Sequence, residues 1–445
     1  MDKSREYDVV ICGGGTAGAV AAIASGRNGA KTLLIEKEQW LGGSGAVGFF
    51  PHSFFANGSG RRAVAGISEE IIERLKEMGG SLGHLRFEGG HLYTHTPVDH
   101  EIKRVLLMEM AVESGVDLLL DTIINGVHTD HGKIVSLTAQ NRSGSLEIRG
   151  RIFVDCTGDG DIGCRAGAPF EKGREDGKMQ PCSLNMRLTN VDMVRFAEEV
   201  PTDLASLWTD RPSGRKTPVY YVGRLGKWDD TPEAKALFTD QNHQLFCLCV
   251  RENDIIANMS RLVGMDATKM DDVTNAAVEL RAQIFRMYQF LKKYVPGFEN
   301  CNLIGETVVG FRESRRFKGR YTITKEDCLS GRKFDDNIGL ACYPLDMHDP
   351  DGGNVTFCQI GGDGSYGIPY GALLPQNVDN LLIAGRIVSA THEALASVRS
   401  IAACEVMGQA AGTAAALAAA EGLEPGMLDI GKLQEMLKAQ NVIIQ

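Results

Sequence analysis

Apolar and polar positions follow a strand–helix–strand rhythm at both ends of the chain and a sheet-like alternation between them. Tyr7-Asp8-Val9-Val10-Ile11-Cys12 predicts a short buried strand. It passes into Gly13-Gly14-Gly15-Thr16-Ala17-Gly18, a small-residue helix over 19–25, and a second apolar run over 31–35 that ends at Glu36. Residues 46–95 are aromatic and polar, rich in Gly and His, with one amphipathic helix over 67–78. Thr96-Pro97-Val98-Asp99 reads as a helix start, capped by Asp99 or Thr96, and the helix follows over 100–113. Residues 116–120 and 151–156 predict buried strands, and 123–129 with 134–139 a hairpin. Residues 180–225 and 340–360 alternate like half-buried sheet. Residues 231–296 read as mostly helical, most clearly over 273–291. A last strand is predicted at 380–384, a turn at Gly385-Arg386, and a long small-residue helix over 398–420.

The pattern predicts an α/β protein: a Rossmann-like nucleotide-binding domain whose central parallel sheet is built from both chain ends, with an inserted mixed β-sheet and helical substrate domain. The expected divisions are 1–168, carrying 46–95 as an insertion, then 169–370 as the substrate or cap domain, then 371–445 as the remainder of the nucleotide domain. No internal repeat or low-complexity segment is evident.

The opening strand, G-x-G-x-x-G, helix, strand and acid form a complete dinucleotide-binding fingerprint. Gly13 permits the tight turn, Gly15 lets backbone N–H groups approach a pyrophosphate, and Gly18 lets the helix pack on the sheet. The helix start offers unpaired N–H donors and the positive end of its dipole. Glu36 can accept hydrogen bonds from a ribose. Two further stretches spell the same motif. Gly362–Gly367 is followed by Pro369, which forbids a helix, and Gly158–Gly163 would set Asp159 and Asp161 against a pyrophosphate. One dinucleotide is expected.

Composition narrows the class. A net charge of −10 argues against nucleic acid or an anionic membrane as partner. No apolar run reaches the length of a membrane span, and the short charged start carries no signal-peptide pattern. Eleven scattered cysteines without a C-x-x-C fit reduced thiols in a cytoplasmic protein. His91, His95 and His100 with Asp99 could offer metal ligands, but Pro97 breaks their register and the spacing matches no standard pattern, so no metal is expected. The partners expected are a small-molecule substrate and, at most, further copies of this chain.

The chain resembles the FAD-dependent oxidoreductases with the glutathione-reductase-type nucleotide domain, distantly related to fumarate-reductase flavoprotein subunits and the flavin subunit of heterodisulfide reductase. The stretches that carry the resemblance are Asp8–Gly18 with Glu36-Lys37 and Gly42-Gly43, Val154–Asp161, Phe311–Arg316, Tyr343–Pro350, Ile368–Tyr370, and residues 380–412. It implies FAD. Gly13, Gly15, Thr16, Ala17 and Gly18 would hold its pyrophosphate, and Glu36 with Lys37 its adenosine end. Gly42, Gly43 and Ser44 would pass along the ribityl chain, and the strand through Val127 would meet adenine. Thr157, Gly158 and Asp159 would close the pocket, and Gly385-Arg386 would lie by the ribityl chain, where relatives often carry Gly-Asp. A helix starting near Val398, Arg399 and Ser400 would aim its N-terminus at the flavin, where positive charge stabilises an anionic ring. Some relatives hold flavin covalently through a His or Cys near the Gly-Gly pair. Ser44 follows that pair here and the nearest His is His52, so the FAD is expected to be non-covalent. The same loop lacks cysteine, against disulfide-reductase chemistry.

Flavin chemistry moves a hydride at N5 and needs a proton donor or acceptor and a substrate anchor. His392 is a candidate for either role, with a buried structural histidine as the alternative. Arg312, Arg315 and Arg316 fall within one helical turn and could clamp a carboxylate or form an ion-paired network at a domain junction. Arg399 and His52 could face the isoalloxazine, and Tyr343 and His348 could line the substrate side. The expected activity is hydride transfer between flavin N5 and a small polar organic substrate by a soluble FAD-dependent dehydrogenase or reductase. The alternatives are an electron-transfer subunit of a larger complex, which would call for iron–sulfur cysteine runs or a docking extension that are not seen, and an NAD(P)H-linked flavin reductase.

Overall fold

A parallel-dominated sheet carries the nucleotide half of the protein. Its strands are β1 (Ser4–Cys12), β2 (Thr32–Ile35), β3 (Asp117–Leu119), β4 (Ile123–Asp130), β5 (Lys133–Asn141), β6 (Gly144–Asp155) and β7 (Leu381–Ile383), in the order β3-β2-β1-β6-β5-β4, with β7 paired to β6. The computed structural model describes residues 4–48, 53–87, 92–200, 205–228, 230–237, 244–249, 251–353 and 355–445. The β1–β2, β2–β3, β1–β6 and β6–β7 pairings are parallel. β7 lies beside Phe153–Asp155 at the C-terminal end of β6, so the last segment of the chain completes a sheet begun by the first. The β4–β5 hairpin turns through His131 (φ 45°) and Gly132 (φ 78°), two left-handed residues in succession that match the twist of the paired strands.

Three helices fix the sheet's surroundings: α1 (Thr16–Arg27), α2 (His100–Glu113) and α3 (Ile401–Glu421). Asp99 caps α2 by accepting from the Glu101 and Ile102 amides at 3.0 and 3.4 Å. α1 and α3 approach at backbone distance through small residues. A Cβ on Gly408 would fall 2.2 Å from the Ala17 carbonyl oxygen, and one on Gly412 would fall 2.1 Å from that of Ala21. Gly412→Val is therefore expected to push the helices apart and cost about 3 kcal/mol, read as a lowered midpoint in denaturant unfolding. α3 is long and apolar enough to cross a membrane by length and composition, but 94% of its apolar window is buried inside the protein, as in a core helix.

The second sheet is antiparallel, in the order Ala205–Asp210, Lys216–Arg224, Gln244–Leu248, Ile255–Asn258, Met186–Thr189, Asn302–Glu306. Helix Met270–Tyr294 packs Leu280, Ile284, Met287 and Leu291 into its core beside Leu188, Leu245 and Cys247. Gln244–Leu248 and Ile255–Asn258 thus pair as strands where a helix was expected, because Leu245, Phe246 and Cys247 alternate between two apolar environments. The helix expected over 398–420 is α3, starting at Ile401 rather than at Val398: Val398 closes a separate short helix, His392–Val398, and Ser400 is extended (φ −59°, ψ 153°) as the N-cap of α3. Arg312, Arg315 and Arg316 do not share a helical turn. The segment is irregular and runs into a short strand at Arg316–Phe317.

Candidate active site

A cleft of about 1860 Å³ opens beyond the C-terminal ends of β1, β2, β6 and β7 and continues to the second sheet. Its nucleotide end is built on the β1–α1 turn. A Cβ on Gly13 (φ +94°) would lie 2.7 Å from the Cys156 carbonyl oxygen, and one on Gly18 would lie 1.8 Å from that of Gly13. Packing alone demands both glycines. Gly15 differs: its φ of −67° suits any residue, and a Cβ there would meet only the Cys156 oxygen, at 4.0 Å. The room before Gly15 is thus space that no packing contact claims. Gly15 also N-caps α1 without a side-chain cap, so the helix presents its first-turn amides at that room.

Glu36 is 7% exposed. Its carboxylate accepts from the Gly14 amide at 2.5 Å and the Glu38 amide at 2.9 Å, which fixes it at the cleft wall. Burial raises its pKa against the pull of those two amides. The Gly42–Gly43 loop folds over the turn: the Gly42 amide donates to the Gly14 oxygen at 2.8 Å, and Thr16 Oγ1 donates to the Gly42 oxygen at 3.0 Å. An uncapped helix start, a cradle a side chain would fill and a buried carboxylate fit the diphosphate and ribose of a dinucleotide.

The opposite wall is shaped by Asp155. Its carboxylate accepts from the Thr157 amide and hydroxyl at 3.0 and 2.7 Å and from the Ile162 and Gly163 amides at 3.1 and 2.9 Å, which folds the Thr157–Gly160 loop toward the cleft. Arg386 pairs with Asp159 at 2.7 Å and donates to the Phe311 oxygen, bridging this loop to the Arg-rich segment.

Past Arg399 and Ser400 the cleft continues as a chamber lined by Arg312, Tyr343, Asp346, His348 and Tyr220, and apolar side chains such as Phe246, Met259 and Phe311 also line the cleft. Burial, with Arg399 nearby, pushes the Arg312 guanidinium down to about 10. His348 Nε2 faces Asp346 Oδ1 at 3.3 Å, and Tyr343 donates to Asp346 Oδ2 at 3.4 Å. Burial, then Arg312, pushes His348 down to about 4 despite Asp346. Burial pushes Asp346 up, but His348, Arg399 and Arg312 outweigh it and hold the carboxyl below its usual range.

Gly13, Gly15, Thr16, Ala17, Glu36, Lys37, Gly43, Ser44, Thr157, Gly158, Asp159, Gly385, Arg386, Arg399, Ser400, Arg312 and Tyr343 all line this cleft. Gly18 and Gly42 lie behind its surface as packing and turn residues. Val127 lies outside the lining, and Ile123 and Ile124 of the same strand take that place. Val398 is wholly buried at the end of its helix. His392 turns from the cleft: its Nδ1 sits 2.8 Å from Glu313, a buried carboxylate that also pairs with Arg316. The arginines divide accordingly, with Arg312 in the chamber, Arg315 donating to the Asp159 oxygen at 2.7 Å and Arg316 in the buried network. His52 and His91 lie outside the described residues. His95 stacks on Tyr220 with ring centroids 4.0 Å apart. Asp155 and Asp346 have no signal in the sequence beyond their place in the motif stretches, since the partners that give them a role are remote along the chain.

The family model for FAD dependent oxidoreductases matches residues 8–437. Among curated proteins, a digeranylgeranylglycerophospholipid reductase of Thermoplasma acidophilum is 26% identical over 167 residues, 34% of this chain and 39% of the relative. Its Methanopyrus kandleri counterpart is 28% identical over 165 residues, 36% and 42% of the two chains. The chain thus spans about two-fifths or less of the curated relatives it matches first. A solved geranylgeranyl bacteriochlorophyll reductase-like structure from Thermoplasma acidophilum superposes with a TM-score of 0.49 at 15% identity, covering 98% of this chain and 84% of the other.

Proposed function

The chain belongs to the FAD dependent oxidoreductase family, and from that premise we propose that it transfers a hydride between FAD and a small polar organic molecule held in the chamber beside Arg399. FAD, when bound, supplies a ring that takes or gives hydride. The first-turn amides of α1 at Gly15 would hold its diphosphate, Glu36 its ribose, and the Thr157–Asp159 loop the far side. Arg399 and the uncapped start of α3 favour negative charge on the wall between the two ends of the cleft.

One observation carries the proposal: Arg312, Tyr343, Asp346 and His348 line the same cleft as the dinucleotide turn. Arginine can anchor a polar substrate, and a neutral imidazole backed by a carboxylate can take a proton. The charged cluster of Arg312, Asp346 and His348 suits the polar end of a substrate, whatever the apolar side chains of the same cleft cover. Eleven cysteines, all free thiols, support a reducing, cytoplasmic location.

Anaerobic titration of the yellow holoprotein tests this. Hydroxy acids, amines, sugars and reduced nicotinamides are added in turn while the flavin absorbance is followed. Bleaching by one class of small organic molecule is the expected result. Bleaching by reduced nicotinamide alone would make the protein a flavin reductase, and bleaching by none would make it an electron-transfer subunit.

A further inference from the structure

Arg312 and Arg399 line the chamber together with the Asp346 carboxylate. Arg399 acts on the Arg312 guanidinium as a like charge and Asp346 as an opposite one. Arg312 donates to the Pro181 oxygen at 2.7 Å. Arg399 is under-satisfied: Nη2 reaches the Gln180 side-chain oxygen only at 3.5 Å and the Asp346 carbonyl oxygen at 3.4 Å, and its buried Nε has no hydrogen-bond partner among the described residues. A guanidinium as poorly matched as that of Arg399, with a second one at Arg312 in the same wall, calls for an anionic ligand that can accept from a fork.

The proton-handling group lies beside them. Asp346 Oδ1 lies 3.3 Å from His348 Nε2, an ion-pair contact rather than an aligned hydrogen bond, and the carboxylate there favours the Nε2–H tautomer, whose Nδ1 lone pair can accept. Arg399 and His348 share two anchors: the Gln180 side-chain oxygen lies 3.5 Å from Arg399 Nη2 and from the His348 backbone amide, and Asp346 meets Arg399 through its carbonyl oxygen at 3.4 Å and the His348 ring through its carboxylate at 3.3 Å.

Resting on the hydride-transfer reading, we infer that the substrate is a 2-hydroxy acid, its carboxylate on Arg312 and Arg399 and its hydroxyl donating to His348 Nδ1. Because both sites are anchored on Asp346 and Gln180, the two groups are assigned to neighbouring carbons. A 2-amino acid fits less well, because its ammonium would enter beside the arginines. The oxidation balances as follows: the O–H proton goes to His348, the C–H electron pair and hydrogen go as hydride to the family's FAD, and the new C=O bond gives a 2-oxo acid. Asp346 then stabilises the imidazolium.

The test uses the holoprotein with oxalate, which is inert, and oxamide, its neutral counterpart, read by perturbation of the flavin spectrum without turnover. Oxalate is expected to saturate and oxamide to do nothing. Arg312→Gln should weaken oxalate about tenfold or more at unchanged flavin content, and Arg312→Lys, which keeps charge but not the fork, should weaken it less. His348→Gln should keep oxalate affinity within about threefold while losing reduction by 2-hydroxy acids. In the unaltered protein, with Asp346, Arg312 and Arg399 facing the ring, that reduction should not drop as pH falls through 6.5 and should decline only toward 4. Oxalate that leaves the spectrum unmoved, or binds Arg312→Gln equally well, overturns the assignment. Bleaching by a neutral polyol in such a protein leaves hydride transfer standing without it. Bleaching by no small molecule takes down hydride transfer, and the substrate class falls with it.

Discussion

Gly15→Val is expected to give folded, colourless protein. The backbone there is extended, at φ −67° and ψ −162°, so no left-handed strain bars a side chain. A Cβ meets nothing nearer than the Cys156 oxygen at 4.0 Å, so the added side chain enters open cleft rather than core. It stands before the first-turn amides of α1, where a diphosphate would need to come close. The expected loss of FAD affinity is about a hundredfold or more, since steric exclusion removes several phosphate hydrogen bonds at once. Visible absorbance against protein absorbance, with far-ultraviolet circular dichroism as the fold check, reads the result. Gly18→Val is the contrast: its Cβ would collide with the Gly13 oxygen at 1.8 Å, so that variant should fail to fold rather than fold empty. Stoichiometric flavin in Gly15→Val would remove the β1–α1 turn from the cofactor site.

How far the sequence reveals this cleft depends on how local each signal is. The β1–α1 turn is legible because its glycines, helix and Glu36 lie close together along the chain, and Glu36 binds the Gly14 amide within that unit, even though Gly13 packs against the remote Cys156 oxygen. The contribution of β7 is legible because a bounded apolar run and a following helix repeat the opening pattern. The break at Arg399–Ser400 is not, since small residues continue helically through it and only tertiary contacts of Arg399 with Gln180 and Asp346 mark the place. The three arginines look equivalent in a string and have three separate fates, set by Pro181, Asp159 and Glu313. His392 carries the right chemistry for a base, but Glu313, remote in sequence, turns it into a buried network. Asp346 and His348 are near neighbours along the chain; what makes them a polarised pair is Arg312 and Arg399 from other elements.

Lys103→Met is expected to destabilise the protein by about 3–5 kcal/mol, because it leaves a buried carboxylate without its counter-ion. Lys103 on α2 and Glu405 on α3 are 1% and 2% exposed, and their charged atoms sit 2.9 Å apart. Glu405 Oε2 has no hydrogen-bond partner among the described residues, so nothing else is in place to carry the charge once the ammonium is gone. The pair ties α2 to α3 close to where Cys404 and Ile401 line the cleft, so the damage should reach flavin retention as well as stability. A double-mutant cycle separates the pair's net worth from the penalty of breaking it. Lys103→Met with Glu405→Leu removes both charges and should recover most of the loss, since an apolar pair of similar volume avoids the desolvation that both ions incur. Denaturant midpoints for the two single variants and the double variant give the coupling energy. A double variant no more stable than Lys103→Met would mean that the helices need the ion pair itself, and that its hydrogen bond, rather than mere charge compensation, holds α2 against α3.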